Sequence, residues 1–275
     1  MSAAPAIRID THAHAFTSDC TFLDGRQYTP EKDAPLAAYL ALLDDNGVSH
    51  GVLTQPSFLG ADNGFLLECL KRAKGRLRGI AVVAPDTGID ELDRLAKAGI
   101  VGIRVNLVRG DPVALGDRAW QGLFHRVAAL TWQVEVYALS ADIPGVLDAL
   151  RPSGARVVID HFGRPDPGLG LDDPGFKTLL AGAAGGRLWV KLSGPYRLEG
   201  GDVGAYAGAL MEAFGPKRIL WGSDWPWTLH GEGKDYGDTL AWLGDWVPDP
   251  EARAEILGPT PFALFGFADD IEETA

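Results

Sequence analysis

Eight short runs rich in β-branched and apolar residues, separated by segments that suit amphipathic helices, constrain this chain more than any other feature. The runs are 7–11, 51–55, 79–83, 101–107, 134–138, 157–160, 188–192 and 218–221, and the intervening helices are expected at 36–46, 64–74, 90–98, 120–131, 142–150, 176–183 and 203–214. Gly47, Gly75, Gly99 and Gly215 stand where those helices should stop. Strands that alternate with helices eight times predict an α/β protein of the (β/α)8 (TIM) barrel class, regular or distorted, as one domain over 1–275. An open doubly wound sheet is the alternative, and it would want a Gly-rich phosphate loop after an early strand.

In such a barrel the active site lies at the C-terminal ends of the strands. The polar residues collect there. His12 and His14 end the first run, Gln55 and Ser57 the second, and Arg104 and Asn106 the fourth. Tyr137 ends the fifth, His161 and Arg164 the sixth, Ser193 and Arg197 the seventh, and Asp224 the eighth. His12 and His14, one residue apart on a strand, point to the same side. With His161 and Asp224 they form a set that could hold one divalent ion such as zinc or manganese. Alternatively, the histidines donate hydrogen bonds to a substrate carbonyl while the aspartate deprotonates water. His50, His125 and His230 read as surface or structural residues.

A formal net charge of −12 argues against nucleic-acid and anionic-membrane partners, because the long-range field repels polyanions. No apolar stretch suits a bilayer span, no signal-peptide pattern opens the chain, and two cysteines in no ligand spacing favour a reducing compartment, so a cytoplasmic setting is expected. A monomer or small homo-oligomer is expected. Three arginines in the cleft of an acidic protein suit an anionic ligand, since a guanidinium presents paired donors to a carboxylate. Pairing of each with a local acid such as Asp160 or Asp166 is the structural alternative.

The segments IRIDTHAHAF, DHFGRP and WGSDWP resemble those of the amidohydrolase superfamily. With RQYTP, QPSFLGADN, GIRVNLV, KLSGPYRL and LFGF, the chain is similar to its lactone-hydrolase branch, that of the 2-pyrone-4,6-dicarboxylate hydrolases. The resemblance implies a hydrolase opening a small anionic lactone, with Asp224 activating water and His12, His14 and His161 around the carbonyl. Arg104, Arg164 and Arg197 match positions that hold substrate carboxylates, with Tyr28, Ser57 and Tyr137 assisting. A further arginine is expected after the fourth strand, where Arg109 stands one position early.

Binuclear relatives carry a lysine and a histidine at the ends of strands 4 and 5, where this chain has Val108 and Tyr137, so at most one metal is implied. The expectation is that no cofactor is required, with one divalent ion held by His12, His14, His161 and Asp224 as the alternative. A sugar-acid lactonase and a metal-dependent decarboxylase of the same superfamily are the competing activities, and a dead binding barrel would have lost Asp224. Lys191 is expected to pair with a buried carboxylate rather than to act as a Schiff-base nucleophile, and Trp225 and Trp227 to wall the pocket or pack beneath it.

Overall fold

The computed structural model describes residues 7–26, 28–108 and 112–267. The strands are β1 (Ile9–Ala13), β2 (His50–Thr54), β3 (Leu77–Ala81), β4 (Ile100–Asn106), β5 (Gln133–Tyr137), β6 (Arg156–Ile159), β7 (Leu188–Leu192) and β8 (Ile219–Trp221). They pair in sequence order, and every ladder is parallel. Parallel neighbours need a crossover. Here α1 (Leu36–Asp45), α2 (Gly64–Ala73), α3 (Ile89–Lys97), α4 (Arg118–Ala129), α5 (Ile143–Leu150), α6 (Pro174–Gly182) and α7 (Val203–Phe214) supply it. The result is the expected (β/α)8 barrel, nearly closed. No helix among the described residues is long and apolar enough to cross a membrane.

Strand bounds moved by up to two residues from those expected, most at β3, which begins early at Leu77, and at β1, which begins at Ile9 and runs through His12 to Ala13. Apolar runs mark where a strand is greasy, whereas β1 carries polar side chains into a polar upper barrel and so continues past its apolar part. After β8 the chain adds α8 (Tyr236–Trp246), α9 (Pro250–Leu257) and α10 (Pro259–Leu264), which have no counterpart among the sequence expectations. The last two are short, and each begins with proline at its first turn, a start signal without a long periodic stripe behind it.

Two apolar layers hold the barrel. The larger lies between strands and helices, and the smaller fills the barrel floor with Ile9, Val52, Ile80, Val158 and Leu220, closed from below by Leu264, Phe265 and Phe267. Above that floor the interior becomes polar, with Thr54, Glu135 and Lys191 all buried.

The seam between β1 and β8 is closed largely by side chains. Beyond one bridge, Ala13 to Trp225, the carboxylate of Asp10 stands in for ladder acceptors. Its Oδ1 accepts from the backbone N–H of His12 (3.1 Å) and Ser223 (2.9 Å). Its Oδ2 accepts from Ser223 Oγ (2.6 Å), Tyr39 (3.1 Å) on α1 and Tyr236 (2.9 Å) on α8. The β1–β2 register shifts between Asp10 and Ala13. A bulge of this kind reverses which face successive side chains take, so Asp10 meets the helices while His12 turns inward. Gly222 completes the seam, because a Cβ there would lie 2.5 Å from His12 Cβ.

Asp10→Ala should therefore cost at least about 3 kcal/mol in urea unfolding, since it strands several buried donors at once. Tyr39→Phe, which removes one donor and leaves the acceptor satisfied by others, should cost about 1 to 2 kcal/mol.

Candidate active site

Each polar side chain at the top of the barrel is set there by its strand. His12 and His14 come from β1 and the residue after it, and their rings lie 5.0 Å apart, edge to face. His161 follows β6 with its ring 4.9 Å from His12 and 5.1 Å from Tyr137 at the end of β5. Asp224 follows β8, with its N–H on the carbonyl of His12 (2.8 Å). His161, Arg164 and Asp224 all hold positive φ (51°, 44° and 57°). Such backbone costs of order 1 kcal/mol or more per residue and persists where the surroundings force it, commonly at functional sites.

Asp224 is the pivot. Its Oδ2 accepts from Arg197 Nε (2.7 Å) and from the Tyr196 hydroxyl (2.6 Å). Its Oδ1 is buried without a hydrogen-bond partner, and it faces His12 Nε2 at 3.8 Å and His14 Nε2 at 3.9 Å. Burial alone would push this carboxyl up, but Arg197 above all, with His161 and His12, holds it well below the usual carboxylate range. Gly194 lets these groups meet: with φ +54°, a Cβ there would lie 2.9 Å from Asp224 Oδ2 and 3.0 Å from His161 Nδ1.

The three histidines differ in what holds them. His14 Nδ1 lies 2.7 Å from the Thr54 carbonyl, an acceptor only, so Nδ1 carries the hydrogen and Nε2 presents a lone pair inward. Burial, with His12 and Arg104 nearby, lowers its pKa to about 3. His161 Nδ1 pairs with Ser193 Oγ (2.8 Å), and burial pushes it well below its ordinary value. His12 Nδ1 instead faces a buried ionic cluster: Lys191 Nζ at 2.9 Å, and Glu135 Oε1 and Asp160 Oδ1 both at 3.3 Å. Burial and Lys191 oppose protonation of His12, Asp160 and Glu135 favour it, and the net direction is upward. Lys191 bonds Glu135, whose Oε1 also accepts from Thr54 (2.9 Å). Lys191 thus has the buried carboxylate partner expected of it.

The arginines ring Tyr137, with guanidinium carbons 5.5 Å (Arg104), 5.4 Å (Arg164) and 6.0 Å (Arg197) from its ring centre. Each also meets an acid. Arg104 lies 3.5 Å from Asp160, Arg164 is 3.5 Å from the exposed Glu199, and Arg197 is committed to Asp224. The Nε of Arg104 and of Arg164 is buried without a partner, and Arg164 donates to the Tyr137 hydroxyl (3.0 Å).

Tyr28 packs on Phe58, and burial raises its hydroxyl above its ordinary value against the opposing pull of Thr228, Arg197 and Arg104. Ser57 is exposed at the start of a short 3-10 turn and is not brought into the cluster, and Gln55 serves loop carbonyls of Gly60 and Asp62. Asn106 caps the N–H of Val108. Arg109 falls outside the described residues. Trp225 packs beneath, stacked on Tyr39, and Trp227 donates to the Ser223 carbonyl.

Sequence reasoning missed Tyr196, Gly194 and Glu135. Glu135 had a signal, because it interrupts an apolar strand on the same face as Tyr137. Tyr196 had none, since only the fold brings its hydroxyl to Asp224. His230, expected to be surface or structural, lies beside the site with its ring 5.0 Å from Tyr196.

His12, His14 and Asp224 offer ligand atoms within 4.8 Å of one another, as do His12, Asp160 and His161. The partnerless His12 Nε2 and Asp224 Oδ1 belong to the first group, so that donor set fits a single divalent ion in number and convergence.

The lowered pKa of His14 has a consequence for stability. Its folded value lies below the unfolded value of about 6.5, so between about pH 6.5 and 3 the unfolded chain binds more protons. Stability should therefore fall as pH drops through that window, by about 2 kcal/mol at pH 5 from His14 alone. Urea unfolding of chelator-treated protein at pH 7 and pH 5 checks this, and His14→Gln should flatten the slope.

The chain is 33% identical over 271 residues to the 4-sulfomuconolactone hydrolase of Hydrogenophaga intermedia, covering 94% of this chain and 88% of that one. It is 33% identical over 281 residues to the 2-pyrone-4,6-dicarboxylate hydrolase of Comamonas testosteroni, covering 95% and 90%. The crystal structure of an Acinetobacter baumannii protein described as a probable 2-pyrone-4,6-dicarboxylic acid hydrolase, with citric acid bound, superposes with a TM-score of 0.87 at 36% identity, over 94% of this chain and 99% of that one. The profile of the amidohydrolase family, Amidohydro_2, matches residues 9–267, and the chain belongs to that family.

Proposed function

We propose that this protein hydrolyses a small lactone bearing carboxylates, of the 2-pyrone-4,6-dicarboxylate kind, by attack of water on the ring ester carbonyl. The observation that carries this reading is the partnerless Oδ1 of Asp224, facing two imidazole nitrogens, with three guanidiniums gathered around the Tyr137 ring that packs on His161. Relatives named for lactones and a neighbour holding citric acid, a tricarboxylate, support it.

His14 Nε2 accepts one hydrogen of the water, and Asp224 Oδ1 takes the other as the oxygen–carbon bond forms. The carbonyl π electrons move onto oxygen, where His12 donates through Nε2–H. Collapse of the tetrahedral centre breaks the ring carbon–oxygen bond, and the proton on Asp224 passes to the leaving oxygen, giving an enol and a carboxylic acid that then releases its remaining water-derived proton to solvent. Because Arg197, with His161 and His12, holds Asp224 well below its usual range against burial, it is a weak base before attack and a strong acid afterwards. Arg164 and Arg104, each with a partnerless Nε, supply donors for substrate carboxylates.

A divalent ion, if bound, would be held by His12, His14 and Asp224 and would polarise the carbonyl or acidify water. We propose that the reaction proceeds without one, since the fixed charges of Arg197 on Asp224 and Lys191 against His12 oppose a cation at the same donors. A cytoplasmic setting suits Cys20 and Cys69, which are free thiols.

Loss of ring absorbance with 2-pyrone-4,6-dicarboxylate tests the activity, and it should survive exhaustive chelation. Activity restricted to sugar-acid lactones would reassign the substrate to a saturated ring. Asp224→Asn should lower kcat about 10³-fold with the fold retained, because volume is kept and the base is lost. Arg164→Met should raise KM for the dicarboxylate and leave a neutral lactone nearly unchanged. Equal losses on both substrates would make Arg164 a support of the fold.

A further inference from the structure

Lys191 sits in the floor of the site with no part in the steps above. It is fully buried, and its Nζ bonds Glu135 Oε2, lies 2.9 Å from His12 Nδ1 and 3.4 Å from Asp160 Oδ1. An ammonium has three hydrogens and no lone pair. Three acceptors face it, and one of them is an imidazole nitrogen.

We propose that Lys191 is a positioning residue that fixes the hydrogen of His12 on Nε2, so that this ring always meets the reacting carbonyl as a donor. A neutral ring accepting at Nδ1 carries its hydrogen on Nε2, and an imidazolium carries one there as well. The only state without an Nε2 hydrogen is the neutral Nδ1–H tautomer. That state would set an N–H against an ammonium at 2.9 Å and leave the buried Nε2 lone pair facing the carboxylate oxygen of Asp224 at 3.8 Å.

His14 provides the contrast within the same motif. Its Nδ1 is held by a backbone carbonyl, an acceptor, so its Nε2 presents a lone pair. Neighbouring histidines one residue apart are thus given opposite polarities, one a donor for carbonyl oxygen and the other an acceptor for water. Glu135 and Asp160 offset the lysine charge and also offer acceptors 3.3 Å from His12 Nδ1. Without Lys191 those carboxylates would draw the hydrogen to Nδ1 and turn a lone pair toward the site, the arrangement that suits a metal ligand.

The experiment is 15N NMR of histidine-labelled protein at neutral pH, with His12 assigned by comparison with His12→Gln. Wild-type His12 should show a protonated Nε2, and an unprotonated Nε2 would overturn the proposal whatever the enzyme's substrate. Lys191→Met should move the His12 hydrogen to Nδ1, and so should Lys191→Met with Glu135→Gln, which avoids leaving that carboxylate unpaired if the single variant does not fold. A His12 signal unchanged in a folded variant would also overturn it. The variant should bind zinc at least tenfold more tightly than wild type in a chelator competition, a change that loss of mere structural support would not produce.

One arm rests on the lactonase reading: kcat should fall about 10²-fold with KM little changed, the size of effect of losing one oxyanion donor. Full kcat in a variant whose tautomer has switched would overturn the role assigned to the hydrogen. Failure of the protein to open any lactone would count against the activity alone, because the NMR and zinc measurements do not use it.

Discussion

Lys191, buried between Glu135 and Asp160, is the interaction around which the upper barrel is arranged. An unpaired charge at that depth would be prohibitively costly, and even a matched pair recovers its desolvation only with good geometry and filled hydrogen bonds. Here two carboxylates meet two cations, Lys191 and Arg104, and Thr54 fills a further position on Glu135. The cluster takes the place of an apolar layer in the barrel interior. It sits directly above the floor of Ile9, Val52, Ile80, Val158 and Leu220, which excludes water from below.

That charge layer gives the site its rigidity and its electrical character. His12 rests on it through Nδ1, and Asp160 in turn restrains Arg104. Across the site, Arg197 and Tyr196 restrain Asp224 through one oxygen and leave the other facing the two imidazoles. His12 and Asp224 are each therefore tied through one polar atom and leave the other, Nε2 and Oδ1, without a hydrogen-bond partner. Preorganisation of this kind reduces the reorganisation that charge development would otherwise demand. The positive φ at His161, Arg164 and Asp224 shows that the backbone also accepts strain to aim these side chains.

The barrel seam connects this site to global stability. Asp10 receives two backbone and three hydroxyl donors from β1, the turn after β8, α1 and α8, and two of the donor residues adjoin the site: His12 belongs to it, and Ser223 immediately precedes Asp224. The bulge after Asp10 is what turns His12 inward. Fold closure and histidine placement consequently rest on one buried carboxylate.

Much of this was legible from residue order alone. Alternation of apolar runs with amphipathic segments determined the (β/α)8 architecture, because each period of the pattern permits only one kind of element, and the polar residues at strand ends marked His12, His14, His161, Arg164 and Asp224. Lys191 was legible as an interior lysine in need of a carboxylate, through its alternation on β7. Which carboxylate was not, since Glu135 lies 56 residues away and only the parallel register brings the two together. Tertiary structure alone decided that Arg197 grips Asp224, that Tyr196 joins it, that Ser57 stays outside, and that His230 stands beside the site. The reason is physical: sequence periodicity reports which face a side chain takes, whereas hydrogen-bond partners and the side of a ring that carries its proton depend on distances across the barrel that no local pattern encodes.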